Sequence, residues 1–567
     1  MRGTTRTVAV AAVSAAALLA AGCGGGSSDK SSSGGTTAPA GKTGGAITVH
    51  GCTPQNPFIP ANTNETCGGD VLDAISSKLV HYNPDTAAPE MDIAESITST
   101  DNQNFTVKLN KGYMFTDGTE VKAKNFVDAW NWNRNGVNGT LNSYFFDVIE
   151  GAADMDCGVF DKDQGTGEND PKAGDPDCKG KPPKATTLSG LKVVDDYTFT
   201  IKTTEKVSNL PVRLGYTAFT PLPDSFFADN GKAFGEAPVG AGPYKLEKYT
   251  KGTDMVLTKN ADYKGKFAGK VDKITFKIYQ DTDAAYTDVQ ADNLDLLAAV
   301  PASALAGEKY KTDLPDRNLV QAIGTFASIS FPSSKADKSY DNPKLRQAIS
   351  TAIDRKTIVD KILAGTRVPA TGWVSPVVDG YKEGACGDFC TYDKAKAKAL
   401  FDEAGGYTGK MTIGYNADGD HKAWTEAACN SIKDALGVEC IATPYPDFAT
   451  FRTKITAEEM KGMFRTGWQM DYPSIENFLA PLYGTGAGSN DSHYSNPAFD
   501  KLLTEAAAAS DGATANAKYQ EAEALLANDM PVIPMWYGKA VAGWSTKVEN
   551  VKVTPFGTFD LTSVTVK

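Results

Sequence analysis

The chain has 567 residues, a formal net charge of −12, and 41% hydrophobic, 10% aromatic and 22% charged residues. This composition is typical of a folded protein, and the length predicts two or three domains because single cores rarely grow beyond about 250–300 residues. The acidic charge argues against a nucleic-acid partner, and no segment after the N-terminal region is apolar for long enough to span a membrane.

The first 22 residues are organised like a secretory signal peptide. Arg2 and Arg6 precede an apolar run over 8–21, which is too short to cross a bilayer. Leu-Ala-Ala-Gly-Cys, ending at Cys23, resembles the bacterial lipobox, in which the cysteine is lipidated and becomes the mature N-terminus, although the leucine lies one position early. We predict a signal peptide at 1–22 and a lipid on Cys23. The alternative is an ordinary secretory peptide with an incidental cysteine.

The segment that follows the signal peptide predicts a flexible tether over 23–45. It is almost wholly Gly, Ser, Thr, Ala and Lys, so it has nothing to bury in a core. A second segment of this kind, about 154–184, is rich in Asp, Gly, Lys and Pro. We interpret it as a surface insertion closed by Cys157 and Cys178.

The remaining eight cysteines fall into four close-spaced pairs. They are Cys52/Cys67, Cys157/Cys178, Cys386/Cys390 and Cys429/Cys440. An even number of cysteines in an exported chain predicts disulfides. Zinc is the alternative, but the pairs lack tandem Cys-x-x-Cys spacing and the four histidines are scattered. Spacing does not fix the connectivity, and local pairing is the simplest hypothesis.

Strand and helix patterns alternate along the chain, which indicates an α/β fold. Residues 105–109 and 274–278 alternate between apolar and polar positions, as half-buried strands do. Asn342-Pro343 and Asn496-Pro497 each precede apolar residues at helical spacing, so we predict helices that begin there. Another helix is predicted from Asp393 to Glu403, ending at two glycines.

The chain lacks the common catalytic motifs. It contains no Gly-x-Ser-x-Gly, His-Glu-x-x-His, P-loop or dinucleotide-binding glycine motif in a suitable context. We therefore predict a protein that is not an enzyme and needs no cofactor or metal. Carboxylates are plentiful, so a secreted hydrolase stays the alternative from another class.

Five blocks in order, after the tether, resemble the solute-binding proteins of peptide ABC importers, the oligopeptide- and dipeptide-binding family (solute-binding protein family 5). The blocks are 105–130 with its Asp-Gly-Thr turn, 238–274, 345–370, 392–400 together with Arg-Thr-Gly-Trp-Gln-Met-Asp-Tyr at 465–472, and 493–503. The resemblance implies a bacterial lipoprotein with two lobes that close on a hinge, and an extra subdomain on the first lobe. It places lobe I at 46–72, 196–325 and 538–567, the subdomain at 73–195, and lobe II at 326–537.

The resemblance also implies a peptide-binding site around the 465–472 motif. Its aspartate, Asp471, takes the position that pairs with the α-ammonium of a bound peptide, a group that is costly to bury unpaired. A turn cap before Pro473 is the alternative role of Asp471. Trp468 and Tyr472 would wall the site, and Arg465 would orient a carboxylate or carbonyl.

Three aromatic residues are weaker candidates for cargo contact. Tyr144 matches a cargo-facing tyrosine of peptide-binding relatives, and Trp536 and Tyr537 lie where the chain crosses back to lobe I. Core packing is an equally good interpretation of each.

The function implied is peptide capture at the outer face of the cytoplasmic membrane and delivery to the permease subunits of an ABC transporter, by a protein expected to be a monomer. A different cargo on the same fold, such as a nickel chelate, haem, a sugar or an opine, is the alternative.

Overall fold

The computed structural model describes residues 42–157, 178, 181–279, 281–417, 419, 421–446 and 448–567. The predicted signal peptide with Cys23, most of the tether and most of the 154–184 insertion lie outside the described residues. Within the described part of the chain, no helix combines the length and the apolar character that crossing a bilayer requires.

Strands and helices alternate from the N-terminus of the described chain up to residue 317. The elements are β1 (Ala46–Gly51), α1 (Thr66–Ile75), β2 (Val80–Tyr82), β3 (Pro89–Met91), β4 (Ala94–Ser99), β5 (Asn104–Leu109), α2 (Ala123–Arg134), β6 (Leu191–Asp195), β7 (Thr198–Lys202), α3 (Leu210–Arg213), α4 (Lys232–Glu236), β8 (Tyr244–Thr250), β9 (Asp254–Lys259), β10 (Lys273–Ile278), α5 (Thr282–Gln290), β11 (Leu296–Leu297), α6 (Ala302–Leu305) and α7 (Lys309–Asp313).

Longer helices dominate the second half of the chain. The elements are β12 (Asn318–Ser330), α8 (Pro343–Thr351), α9 (Arg355–Lys361), β13 (Arg367–Pro369), α10 (Lys394–Glu403), β14 (Met411–Asn416), α11 (Lys422–Leu436), β15 (Cys440–Tyr445), α12 (Phe448–Thr456), β16 (Met463–Gln469), α13 (Glu476–Tyr483), α14 (Pro497–Ala507), α15 (Gly512–Asp529), β17 (Val532–Trp544), β18 (Val548–Glu549) and β19 (Thr565–Val566).

The local predictions from sequence are confirmed. β5 buries Phe105, Val107 and Leu109 on one face. Asn342 and Asn496 cap α8 and α14 through their side chains, each with proline at the first helical position. Asp393 caps α10 in the same way, because a side-chain oxygen satisfies backbone N–H groups that the first turn leaves without partners.

One eleven-stranded sheet runs through both lobes. Its order is β15-β14-β16-β12-β17-β11-β1-β10-β9-β8, with β13 paired to β17. The long strands β12 and β17 are antiparallel and form the crossing. A separate four-stranded sheet, β4-β5-β7-β6, belongs to the N-terminal part of the chain. The fold is therefore α/β and two-lobed, with the lobes joined through paired strands.

Separate hydrophobic cores define the two lobes. One core uses residues between 326 and 537 and packs the helices of the second lobe. The first lobe has one core from residues 59–241 and two more beside β1, β10 and β11. The 59–241 core includes residues on both sides of position 195, and β6 and β7, which flank that position, pair as a hairpin.

Candidate functional site

The loop after β16 carries Asp471 to the point where the strands cross. Trp468 lies opposite Phe326 of β12, and the Met470 N–H donates to the carbonyl of Gly324 over 2.8 Å. Gly324 lies within the shift in register between β12 and β17. A Cβ at Gly324 would collide with the side chain of Met470, so glycine permits this close approach. The backbone beside Asp471 is thus hydrogen-bonded to β12, where β12 and β17 form the crossing between the lobes.

Asn477 fixes the side chain of Asp471. Its amide nitrogen donates to Asp471 Oδ2 over 3.0 Å, and its Oδ1 accepts from the Asp471 backbone N–H over 2.9 Å. The same Oδ1 accepts from Trp468 Nε1 over 3.2 Å. Asn477 is only 2% exposed, so these bonds satisfy groups that would be costly to bury alone. One amide therefore orients both the aspartate and the tryptophan of the motif.

Asp471 is a partly buried carboxylate without a cationic partner among the described residues. Burial raises the pKa of Asp471 to about 6; the hydrogen bond from Asn477 lowers it and the charge of Glu476 raises it further. No lysine, arginine or histidine in the described ranges forms an ion pair with Asp471. A desolvated carboxylate of this kind gains most from a cation that arrives with a ligand.

Two tyrosines of the first lobe lie within electrostatic range of Asp471. Burial, and to a smaller extent the charge of Asp471, raises the pKa of Tyr144. The Tyr144 side chain still reaches solvent, since 53% of the residue is exposed. The same two causes raise the pKa of Tyr216. The rings of Tyr144 and Phe145 stack at 4.3 Å, and those of Phe145 and Tyr216 lie 4.4 Å apart. Both tyrosines therefore lie close enough to Asp471 for its charge to raise their pKa.

Tyr82 also lies near Asp471, and like Tyr216 it was not among the residues predicted from the sequence. Burial raises its pKa, with further contributions from Asp73 and Asp471. Its hydroxyl donates to the Val212 carbonyl over 2.7 Å. Tyr82 and Tyr216 come from segments more than a hundred residues apart, and neither carries a motif, so only the folded chain shows that both lie near Asp471.

Arg465 lies at a cavity of about 200 Å³ beside Trp468. Its Nε donates to Asn416 Oδ1 over 2.8 Å. Its guanidinium carbon lies 5.3 Å from the ring centre of Phe448 and 5.5 Å from that of Phe451, which holds the planar group by cation–π contact. This arrangement keeps a cation at the cavity wall.

A second arginine lines the same cavity. Arg452 pairs with Asp491 through two contacts, of 2.6 and 3.0 Å. Hydroxyl groups also line the cavity, and Ser328 and Thr466 lie 2.6 Å apart there. Guanidinium and hydroxyl groups donate hydrogen bonds, so these residues suit an acceptor such as a carbonyl or carboxylate.

Three predicted aromatic contacts are buried in this structure. Tyr472 is 4% exposed, packs in the core of the first lobe, and donates its hydroxyl to Glu476 over 2.8 Å. Trp536 and Tyr537 pack in the second-lobe core: Trp536 meets Trp424 edge-on at 5.0 Å, and the Tyr537 hydroxyl donates to a buried carbonyl. Neither Trp536 nor Tyr537 lines the cleft here, because helices cover the strand that carries them.

The cysteines form disulfides in the four local pairs. The bonds join Cys52 to Cys67, Cys157 to Cys178, Cys386 to Cys390 and Cys429 to Cys440. The local hypothesis on connectivity is confirmed. In the ranges that the structure describes, no group of three His, Cys, Asp or Glu residues is placed to hold a metal ion.

Comparison with protein families decides the wider assignment. The model for bacterial extracellular solute-binding proteins, family 5 (middle region), matches residues 88–490. The chain belongs to this family. It is therefore an extracellular solute-binding protein rather than an enzyme, and the resemblance seen in the sequence blocks is confirmed.

Several characterised relatives of the family match most of the chain. The oligopeptide-binding protein OppA of Bacillus subtilis is 24% identical over 491 residues, covering 84% of this chain and 85% of its own. The dipeptide-binding protein DppE of the same species is 25% identical over 490 residues, or 83% of each chain. The heme-binding protein A of Haemophilus influenzae is 28% identical over 385 residues, or 65% of this chain and 68% of its own.

Solved structures share the fold. OppA of Haemophilus influenzae in complex with the peptide RPPGFSPFR superposes with a TM-score of 0.71 at 21% identity, over 93% of this chain and 99% of that one. The unliganded open form of the murein tripeptide-binding protein MppA gives a TM-score of 0.74 at 21% identity, over 93% and 99% of the chains.

Proposed function

We propose that the protein captures short peptides with a free N-terminus and delivers them to the permease of an ABC importer. The observation that carries the proposal is Asp471, a desolvated carboxylate held by Asn477 and without a cationic partner among the described residues. A peptide ammonium supplies the missing cation. The names of the relatives OppA and DppE agree with this cargo.

The remaining contacts suit a peptide main chain. Tyr144 and Tyr216 offer hydroxyls from the first lobe, and Trp468 offers a rigid apolar surface beside the anchor. Arg465 and the hydroxyl-lined cavity suit a carbonyl or carboxylate further along the cargo. Such polar, roomy surroundings bind backbone groups without reading every side chain.

The two-lobed architecture supports capture by closure. We assign 46–72, 196–325 and 538–567 to lobe I, 73–195 to its extra subdomain and 326–537 to lobe II. A cargo that touches Asp471 and the tyrosines of the other lobe binds the closed state better than the open one, and so shifts the population toward it. The closed monomer then presents both lobes to the permease.

Titration calorimetry tests this proposal directly. The mature chain should bind di- to pentapeptides with a free amine, and the peptide should be recovered intact after hours of incubation. Recovery of cleaved peptide would support a hydrolase. Binding of haem, which the name of one relative suggests, together with no binding of any peptide, would replace the proposed cargo.

The affinity for peptide should depend on pH through Asp471. The pKa of Asp471 is about 6, and a peptide α-ammonium loses its proton near about 8. Between these values both partners are charged. Below about pH 6 the carboxylate must lose a proton for the peptide to bind, so affinity should fall about tenfold per pH unit. Calorimetry from pH 4.5 to 8 measures this, and an affinity that stays constant down to pH 4.5 would contradict it.

We further propose that Cys23 carries a lipid anchor at the outer face of the cytoplasmic membrane. The lipobox-like sequence and the Gly- and Ser-rich residues after it support this. Acyl chains on one residue add up to firm membrane attachment, at about 0.8 kcal/mol per buried CH₂.

Cys23→Ser should therefore release the protein from cells into the medium. Fractionation and immunoblotting measure the released share, with Ser27→Ala in the tether as the matched control. If Cys23→Ser stays in the membrane fraction at the level of the control, the anchor is elsewhere.

A further inference from the structure

A polar cluster joins the two lobes directly behind the candidate site. Arg213, at the end of α3 in the first lobe, approaches Glu476 of the second lobe, with 3.3 Å between Nη2 and Oε1. Asn209 Nδ2 donates to Glu476 Oε2 over 2.8 Å and to Ser474 Oγ over 3.3 Å. The Tyr472 hydroxyl donates to the same Oε2 over 2.8 Å. Glu476 thus accepts bonds from both lobes.

The cluster is largely shielded from water. The Glu476 side chain is 8% exposed and that of Arg213 is 16% exposed. The Arg213 guanidinium carbon lies 5.4 Å from the ring centre of Tyr472, and Asn209 Oδ1 accepts from Arg213 Nε over 3.1 Å. The attraction within this charge pair and its hydrogen bonds acts only while the lobes meet, because separating the lobes breaks all of them together.

A second set of contacts continues the same interface. Ser208 donates its backbone N–H to the Ala507 carbonyl over 3.0 Å and its hydroxyl to the Ala506 carbonyl over 3.3 Å. Asn102 donates its amide to the Ala509 carbonyl. Ala506 and Ala507 are the last two residues of α14 and Ala509 follows two residues later; the Ala506 carbonyl also accepts from the Ala509 backbone N–H over 3.1 Å. The first lobe therefore caps a helix of the second lobe next to the charge pair.

We propose that Arg213 and Glu476 form a closure latch that positions Asp471. Tyr472 follows Asp471 in the chain and is held by the latch on one side, while Asn477 follows Glu476 and holds Asp471 on the other. Forming the latch therefore fixes both neighbours of the anchor in one step. Arg213 and Glu476 are positioning residues, because they act on the ligand through Asp471 and Tyr472. The effect on ligand affinity rests on the proposed function, whereas the effect on closure does not.

The latch is tested first in ligand-free protein. Spin labels at Val194 in the first lobe and Lys398 in the second report the distance between the lobes by pulsed electron paramagnetic resonance. Glu476→Gln removes the charge with little change in size, and should shift the distance distribution toward longer values. Lys344→Met, which breaks an exposed pair with Glu403 in the second lobe alone, is the matched control and should leave the distribution unchanged.

The second test measures peptide kinetics. Glu476→Gln and Arg213→Met should each weaken affinity about tenfold or more, mainly through faster dissociation, because partners of a buried pair affect the off-rate. The double variant should be no weaker than the worse single variant, since both changes remove one interaction. Arg213→Lys, which keeps the charge, should recover part of the loss. A merely structural role would give neither the coupling nor the recovery.

The outcomes separate the latch from the cargo. If Glu476→Gln shows longer inter-lobe distances but the wild type binds no peptide, the latch is supported and the peptide function is wrong. Peptide binding as proposed, with unchanged distances and dissociation rates in Glu476→Gln, would overturn the latch. Thermal unfolding checks each variant, and if Arg213→Met fails to fold, Glu476→Gln alone decides.

Discussion

Asp471→Asn should weaken the binding of a peptide with a free N-terminus by two to three decades. Losing the carboxylate leaves the ammonium buried without a counter-charge, which costs about 3 to 5 kcal/mol, and about 1.4 kcal/mol corresponds to a factor of ten. Asparagine keeps the shape of the side chain and can still bond to Asn477, so the anchor loop should stay in place. Calorimetric titration of both proteins measures the change.

N-acetylated peptide provides the internal check on this variant. Acetylating the peptide should lower its affinity strongly for the wild type and only slightly for Asp471→Asn. The two changes remove the same charge pair, so their effects on affinity cannot add. Asp434→Asn, at an exposed position paired with Lys394, is the matched control and should bind as the wild type does. Equal losses on acetylation in the wild type and in Asp471→Asn would show that Asp471 does not meet the amine.

Arg355→Met should lower the free energy of unfolding of the second lobe by about 3 to 5 kcal/mol, because it leaves several buried acceptors without donors and each costs about 1 to 3 kcal/mol. Arg355 is 2% exposed and bonds to neutral groups: Nε donates to the Pro534 carbonyl over 2.6 Å, Nη1 to the Ser350 carbonyl over 2.9 Å and Nη2 to Ser350 Oγ over 2.7 Å. Burial lowers its pKa to about 9. Methionine fills the space but leaves buried acceptors without donors.

The neighbouring residue supplies a control for Arg355. Lys356 is exposed, and its partner Asp360 lies one turn away on the same helix. Lys356→Met should change stability by about 0.5 kcal/mol or less, as exposed pairs do. Denaturant unfolding followed by tryptophan fluorescence compares the two variants. A loss below about 1 kcal/mol in Arg355→Met would show that water replaces its bonds, since that is the scale of a single net hydrogen bond.

Local structure was predictable where a single residue decides it. The caps at Asn342, Asp393 and Asn496 each depend on one side chain and its own helix, so the sequence is enough. The local disulfides were predictable for a similar reason, because their cysteines are close in the chain.

The site was only partly predictable. The motif predicted Asp471, Trp468 and Arg465 as candidates, but the partners that set their geometry lie elsewhere in sequence or carry no motif. Asn477 looks like any polar residue at a helix start, and Glu476 meets Arg213 only after both lobes have folded.

Trp536 and Tyr537 were predicted as candidate cargo contacts, but both are buried in the structure. Trp536 and Tyr537 lie on a strand that is covered on both faces, so alternation along the strand gives no exposed side. Burial there depends on helices far along the chain, such as the one that carries Trp424.

The most direct test of peptide capture uses a synthetic library of di- to pentapeptides prepared in free and N-acetylated forms. The mature protein is incubated with both halves and with haem, separated from unbound ligand by gel filtration, and its bound ligands are identified by mass spectrometry. If the protein captures peptides by their free amine, it should retain many free-amine peptides of varied sequence and almost none of their acetylated counterparts. Retention of haem alone, or of both peptide halves equally, would contradict this mode of capture.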